Sequence, residues 1–138
     1  LSAHLTGQFP QDYAACAMRN PVIDLTAMAA TSDIPDWVFA EATGKDAARE
    51  KAARVAGEAD PETLAALVRC SPIRFASQVA CPTLIHLGLV DRRVPPHQGV
   101  AWGRALSSRG VRTRVMRFPE DSHALDKVKT NEVVVGTM

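Results

Sequence analysis

The 138-residue sequence has no apolar run long enough to cross a bilayer: its longest, such as Thr83 to Val90, stay below ten residues, against the roughly 20 a membrane helix needs. A soluble protein with no membrane partner is expected. An excess of charge of one sign is missing too. Lys and Arg number 16 and Asp and Glu 15, so no global field draws in nucleic acid. Aromatic residues make up only 5%, and Leu, Ile, Val and Phe together number 32, while Ala alone numbers 22. That supply clears the composition of disordered chains but builds only a modest core. The three cysteines, Cys16, Cys70 and Cys81, are too few for a disulfide framework and form no CxxC pair, which fits a reducing, cytoplasmic compartment. The four histidines show no metal-ligand spacing such as HExxH, so neither a metal nor another cofactor is expected. Neither an initiator Met nor a basic leader opens the sequence, and it stops within the apolar run Val133-Val134-Val135; the expectation is a piece of a longer protein.

What is present reads as alternating strands and helices. Leu1, Leu5 and Phe9 form a helical stripe closed by Pro10. Tyr13 to Met18 is a short apolar run before Arg19-Asn20-Pro21 and reads as a buried strand. Leu25 to Ala30 makes a helical turn, and a Pro-containing loop leads into a helix at Trp37. The Ala-rich, charged stretch 42–59 reads as a variable helical insertion. Asp60-Pro61-Glu62 supplies a cap, a first-turn Pro and an acidic first turn for a helix whose buried face is expected to carry Leu64, Leu67 and Val68. Thr83 to Leu89 is the strongest strand signal. A helix from His97 to Ser108, a strand from Arg112 to Phe118 and a helical pattern from Leu125 follow. This order predicts an α/β fold with a parallel sheet.

Ligands of open parallel sheets bind beyond the carboxyl ends of the strands. Asp91 directly follows the strongest strand, and His123 lies in the loop after the next one. A strand-end Asp followed by a later strand-end His is the order in which an α/β-hydrolase supplies the last two members of a Ser, Asp, His triad. On position alone, an Asp after a strand is more often a turn or cap residue and a loop His more often only solvated. His86, in mid-strand, reads as a packed histidine, and His4 and His97 as helix-surface or helix-end residues.

Six segments go further: His4-Leu5-Thr6-Gly7-Gln8-Phe9-Pro10, Arg19-Asn20-Pro21-Val22-Ile23, Thr31-Ser32-Asp33-Ile34-Pro35-Asp36-Trp37, Cys70-Ser71-Pro72-Ile73-Arg74, Asp91-Arg92-Arg93-Val94-Pro95 and Ser122-His123-Ala124-Leu125. In this order they resemble the acylaminoacyl peptidases (acylamino-acid-releasing enzymes) of the prolyl oligopeptidase family of serine peptidases, from Leu1 to about Leu125. The chain departs from the pattern in 42–59 and in its last dozen residues.

The resemblance implies that residues 1–138 are the carboxyl-terminal portion of an α/β-hydrolase domain. Asp91 then corresponds to the triad acid and His123 to the base, Arg93 to an arginine that binds a substrate carbonyl, and Val22 and Trp37, with Val94 beside them, to the walls of an apolar substrate pocket. Alternative readings are a surface ion pair of Arg93 with Glu120 or Asp121, and ordinary core for Val22. The family's serine sits in a GxSxG elbow, and no such pentapeptide occurs here. The nucleophile is therefore expected upstream of Leu1, together with an amino-terminal propeller and the first half of the hydrolase sheet, and the chain alone is expected to be inactive.

The implied substrate is an N-acylated peptide, and a homo-oligomer is compatible with the sequence. Two alternatives remain at this point: a dipeptidyl-peptidase, oligopeptidase or esterase of the same superfamily, and a non-catalytic α/β remnant or binding module.

Overall fold

The computed structural model describes residues 1–44 and 60–137. Three strands, β1 (Cys16–Arg19), β2 (Thr83–Gly88) and β3 (Thr113–Phe118), form a sheet in the order β1-β2-β3. Both pairings are parallel, with Cys16 opposite Thr83 and Thr83 opposite Thr113. The most apolar run occupies the centre, as a strand covered on both faces requires. The register carries all three carboxyl ends to one edge, where Arg19 faces His86 and Gly88 faces Phe118. The expected α/β architecture is the one observed.

Helices fill the connections: α1 (Ser2–Gln8), α2 (Leu25–Ala29), α3 (Pro35–Thr43), α4 (Pro61–Cys70), α5 (His97–Ser107) and α6 (Val128–Thr137), with a 3-10 turn at Pro72–Phe75. Their starts follow local chemistry. Asp24 Oδ1 accepts the Thr26 and Ala27 N–H groups ahead of α2, and Asp60 Oδ1 accepts the Thr63 N–H ahead of α4, each satisfying donors that a first turn otherwise leaves open. No helix among the described residues is long and apolar enough to cross a membrane.

Two apolar clusters hold these elements together. In the first, Trp102 and Leu106 of α5 meet Ile85 and Leu87 of β2, with Met18 and Ile23 beside them. Gly99 and Gly103 let α5 lie directly on the sheet: a Cβ on them would come within 2.3 Å of Leu87 Cδ2 and 2.7 Å of Val115 Cγ2. The second cluster joins Met28 of α2, Val38 of α3 and Leu67 of α4 to Val94, from the turn after β2.

Several boundaries and one helix face differ from the expectations. β1 begins at Cys16 rather than Tyr13, because the ladder starts where Cys16 meets Thr83 and the preceding Ala14 and Ala15 stay exposed. On α4 the covered stripe is Thr63, Ala66, Leu67 and Cys70, while Leu64 and Val68 are 37% and 56% exposed. Packing against α2 and α3 selects the side carrying small residues, since these let the helices approach. The last helix starts at Val128, not Leu125. Leu125 has a φ of 51° and a fully buried side chain, so it belongs to the loop before the helix. Of the expected insertion at 42–59, Ala42 and Thr43 end α3 and Gly44 caps it in the left-handed region; the remainder, 45–59, lies outside the described residues.

Candidate active site

Beyond the end of β2 the chain turns sharply through Asp91, whose carboxylate organises the turn. Its Oδ1 accepts the N–H groups of Arg93 and Val94, both at 2.9 Å. Its Oδ2 lies 2.8 Å from Nδ1 of His123, which comes from the loop after β3. The Asp91 side chain is wholly buried, whereas that of His123 is 46% exposed. A carboxylate only accepts, so the contact places the proton on Nδ1. The neutral imidazole then carries its lone pair on Nε2, the form in which a histidine can take a proton.

His123 lines a cleft of about 850 Å³. Val22, Trp37 and Val94, the three expected pocket residues, line it, and Met28 and Ile34 extend the apolar wall. Trp37 is 40% exposed at the rim and Val94 is buried. Val22, partly buried, packs against the second cluster and also lines the cleft. Leu1 and Ser2 at the start of α1 line the same cleft.

Side-chain hydrogen bonds set these walls in place. Gln98 Oε1 accepts the N–H groups of Ile23 and Asp24 at 2.9 and 2.7 Å, and its Nε2 donates to the Asp24 carbonyl at 3.0 Å, fixing the segment that carries Val22. Ser71 Oγ accepts the Leu25 N–H and donates to the Leu67 carbonyl. Nothing local in the sequence announces either bond: Gln98 is a helical Gln, and Ser71, though within one of the six resembling segments, merely precedes a Pro.

Arg93 also lines the cleft. Its ion pair is not with either acid of the alternative reading: Nε lies 3.9 Å from Asp33 Oδ1, with both side chains about half exposed. Glu120 instead pairs with Lys127, and Asp121 is buried, accepting from Thr130 Oγ1 and the Lys127 N–H. Ser32 Oγ donates to the Arg93 carbonyl and the Asp33 N–H to the Arg92 carbonyl. The turn carrying Asp91 and the loop before Trp37 are thereby stitched together.

The remaining histidines lie elsewhere. His86 is fully buried, with Nε2 at 3.0 Å from Thr137 Oγ1. Burial lowers its pKa, the Arg19 guanidinium adds to the lowering, and the Met18 backbone carbonyl opposes it. His4, expected on a helix surface, is half-buried and joins α1 to α4 through the Cys70 carbonyl, while His97 is exposed at the first position of α5. Burial, reinforced by Cys81, raises the Cys16 thiol to about 11. No group of three or more potential metal ligands occurs among the described residues.

Comparison with known proteins places the chain among relatives. The acylamino-acid-releasing enzyme of Sus scrofa is 42% identical over 129 residues, covering 94% of this chain and 17% of the relative. The acylamino-acid-releasing enzyme of Arabidopsis thaliana is 40% identical over 131 residues, covering 95% of this chain and 16% of the relative. The chain thus spans about one sixth of the length of these curated relatives. In structure, an acylaminoacyl peptidase from Pyrococcus horikoshii superposes with a TM-score of 0.66 at 21% identity, over 88% of this chain and 18% of that one, and so shares the fold. The sequence pattern of the prolyl oligopeptidase family matches residues 1–137, and the chain belongs to that family.

Proposed function

We propose that this chain supplies the acid and the base of a serine peptidase that releases N-acylated amino acids from peptide amino termini. The observation that carries the reading is the 2.8 Å contact between buried Asp91 and cleft-lining His123. The names of the relatives support the substrate class. In this reading the nucleophilic serine belongs to a part of the protein outside the 138 residues.

The serine hydroxyl attacks the carbonyl of the acylated residue as His123 Nε2 removes its proton. The tetrahedral adduct collapses, the peptide leaves as an amine protonated by His123, and an acyl-enzyme remains. Water attacks next, giving up a proton to Nε2, which returns it to the serine as the acylamino acid departs. Asp91 holds the ring orientation and stabilises the imidazolium in both halves. Arg93 donates to a carbonyl oxygen of the substrate, a role suited to a permanently charged, multi-donor group. Val22, Trp37 and Val94 receive the apolar side chain of the released residue.

The test is hydrolysis by the full-length protein of an N-acetylated peptide against the same peptide with a free amine, repeated with His123→Ala. Preference for the acetylated peptide, lost in the variant, is expected. Preference for the free amine or for a simple ester would move the protein to a dipeptidyl-peptidase or esterase, and activity unaffected by His123→Ala would remove the acid–base reading.

A further inference from the structure

The loop carrying His123 is held by its carbonyl groups. Asn20 Nδ2 donates to the His123 carbonyl at 2.8 Å and to the Ser122 carbonyl at 3.4 Å. A guanidinium nitrogen of Arg19 donates to the carbonyls of Ala124 and Leu125. Four consecutive carbonyls, from Ser122 to Leu125, therefore face donors on two consecutive residues at the end of β1. The other half of the Asn20 amide reaches the neighbouring strand: Oδ1 accepts the Gly88 N–H at 2.9 Å. Gly88 ends β2, three residues before Asp91, and the Asp91 N–H donates to its carbonyl. Asn20 thus bridges the strand end that leads to the carboxylate and the loop that presents the imidazole.

The residue type suits the place. Asn20 is buried and has a φ of 38°, while its own N–H donates to the His86 carbonyl. Outside glycine, Asn and Asp are among the residues that best tolerate positive φ. Asp lacks the donor for the two carbonyls, Gln is longer by a methylene, and Gly has neither donor nor acceptor.

We infer that Asn20, with Arg19 beside it, is a positioning residue that sets His123 against Asp91. The inference rests on the acid–base reading of that pair. It assigns work to a motif that lines the cleft without carrying out any step of the reaction.

The test compares Asn20→Gly and Asn20→Asp with wild type and His123→Ala in the full-length protein. Turnover of an N-acetylated peptide, the rate of labelling by a fluorophosphonate and the melting temperature are measured together. Asn20→Gly keeps the positive φ and loses all the side-chain bonds of Asn20, leaving only those of Arg19; Asn20→Asp keeps the acceptor for Gly88, loses the donor and sets a carboxylate against two carbonyl oxygens. A misplacement of about 1 Å can lower turnover roughly 100-fold. Both variants are expected to lose about 10- to 100-fold in kcat and in labelling rate, with KM within about threefold, because Val22, Trp37, Val94 and Arg93, the residues assigned to the substrate, are unchanged.

A folded Asn20 variant with kcat near the wild-type value, or one altered in KM alone, would overturn the inference. So would unfolding of both variants, which would make Asn20 a residue of the fold instead. If His123→Ala itself retains turnover, the acid–base reading falls and takes this role with it. If His123→Ala is inactive while the Asn20 variants are not, only the positioning role falls.

Discussion

Asp91 and His123 meet through one carboxylate oxygen only, because the other is committed to the N–H groups of Arg93 and Val94. This division fixes what an amide at the same position would do. With Asp91→Asn the amide oxygen would take the place facing the two N–H groups, leaving the NH₂ to face His123 Nδ1. The ring would then carry its proton on Nε2 and could not accept one there. Asp91→Asn is accordingly expected to lower kcat of the full-length protein by roughly 10⁴-fold, the scale seen when a triad histidine is held in the wrong tautomer. Steady-state kinetics with an acylated peptide check it, and a loss under about tenfold would separate Asp91 from the reaction.

Arg93 divides stability from substrate handling. Its contact with Asp33 is long and half exposed, a geometry worth about 0–1 kcal/mol, and its backbone N–H to Asp91 survives any side-chain change. Arg93→Ala should leave the melting temperature nearly unchanged and lower kcat/KM by about 1.5 to 3 kcal/mol, the range of a hydrogen bond to a charged group. Unaltered kcat/KM would leave the residue as a surface cation.

Gly88 lies where the His123 loop crosses the end of β2. A Cβ there would sit 2.4 Å from the Ser122 carbonyl oxygen and 2.6 Å from that of Asp121. Both obstacles are backbone, so relief requires moving the loop. Gly88→Ala should destabilise the protein by about 1–3 kcal/mol, as overpacking does, and slow turnover by displacing His123. Gly136→Ala, where nothing lies within 4 Å, is the control for stability in denaturant titrations.

His86 gives stability a pH dependence of defined sign. Its folded pKa lies below the ordinary histidine value of 6.5, so in the interval between the two the unfolded chain binds more protons. Its contribution is complete above about 6.5 and is lost as the pH falls from there through the lowered folded value. Denaturant midpoints should therefore be higher at about pH 7.5 than at about pH 5.5, and His86→Gln should reduce that difference. An equal difference in the variant would assign the pH dependence to other groups.

The parts of this fold legible in the sequence are those whose signal is local. Thr83 to Leu89 announces β2 because a central parallel strand is apolar on both faces, and Asp60-Pro61-Glu62 announces α4 because capping needs only adjacent residues. The buried face of α4 was not legible. Leu64, Leu67 and Val68 outweigh Ala66 on any local scale, yet the approach of α2 and α3 favours the side with small residues. Leu125 misled for a related reason: its apolar side chain fits a helix pattern, whereas its carbonyl is held by Arg19. At the site, the strand-end positions of Asp91 and His123 could be read from element order. The bonds of Asn20 to His123, Gln98 to Ile23 and Ser71 to Leu25 could not, since each joins residues at least 46 positions apart.

The clamp on the His123 loop also bears on when the site comes into being. Asn20 and His123 are 103 residues apart in sequence, and Arg19 and Leu125 are 106 apart. Contacts of such range require closing a loop of about three quarters of these 138 residues, and folding slows as non-local pairing comes to dominate. Asp91 and His123 are consequently expected to come into register late, after the helices and the β2–β3 pair have formed, so that in refolding of the full-length protein helical signal returns before the activity proposed for it. On the proposed reading, a protein assembled in this order gains its acid–base pair only once these distant segments have closed on each other.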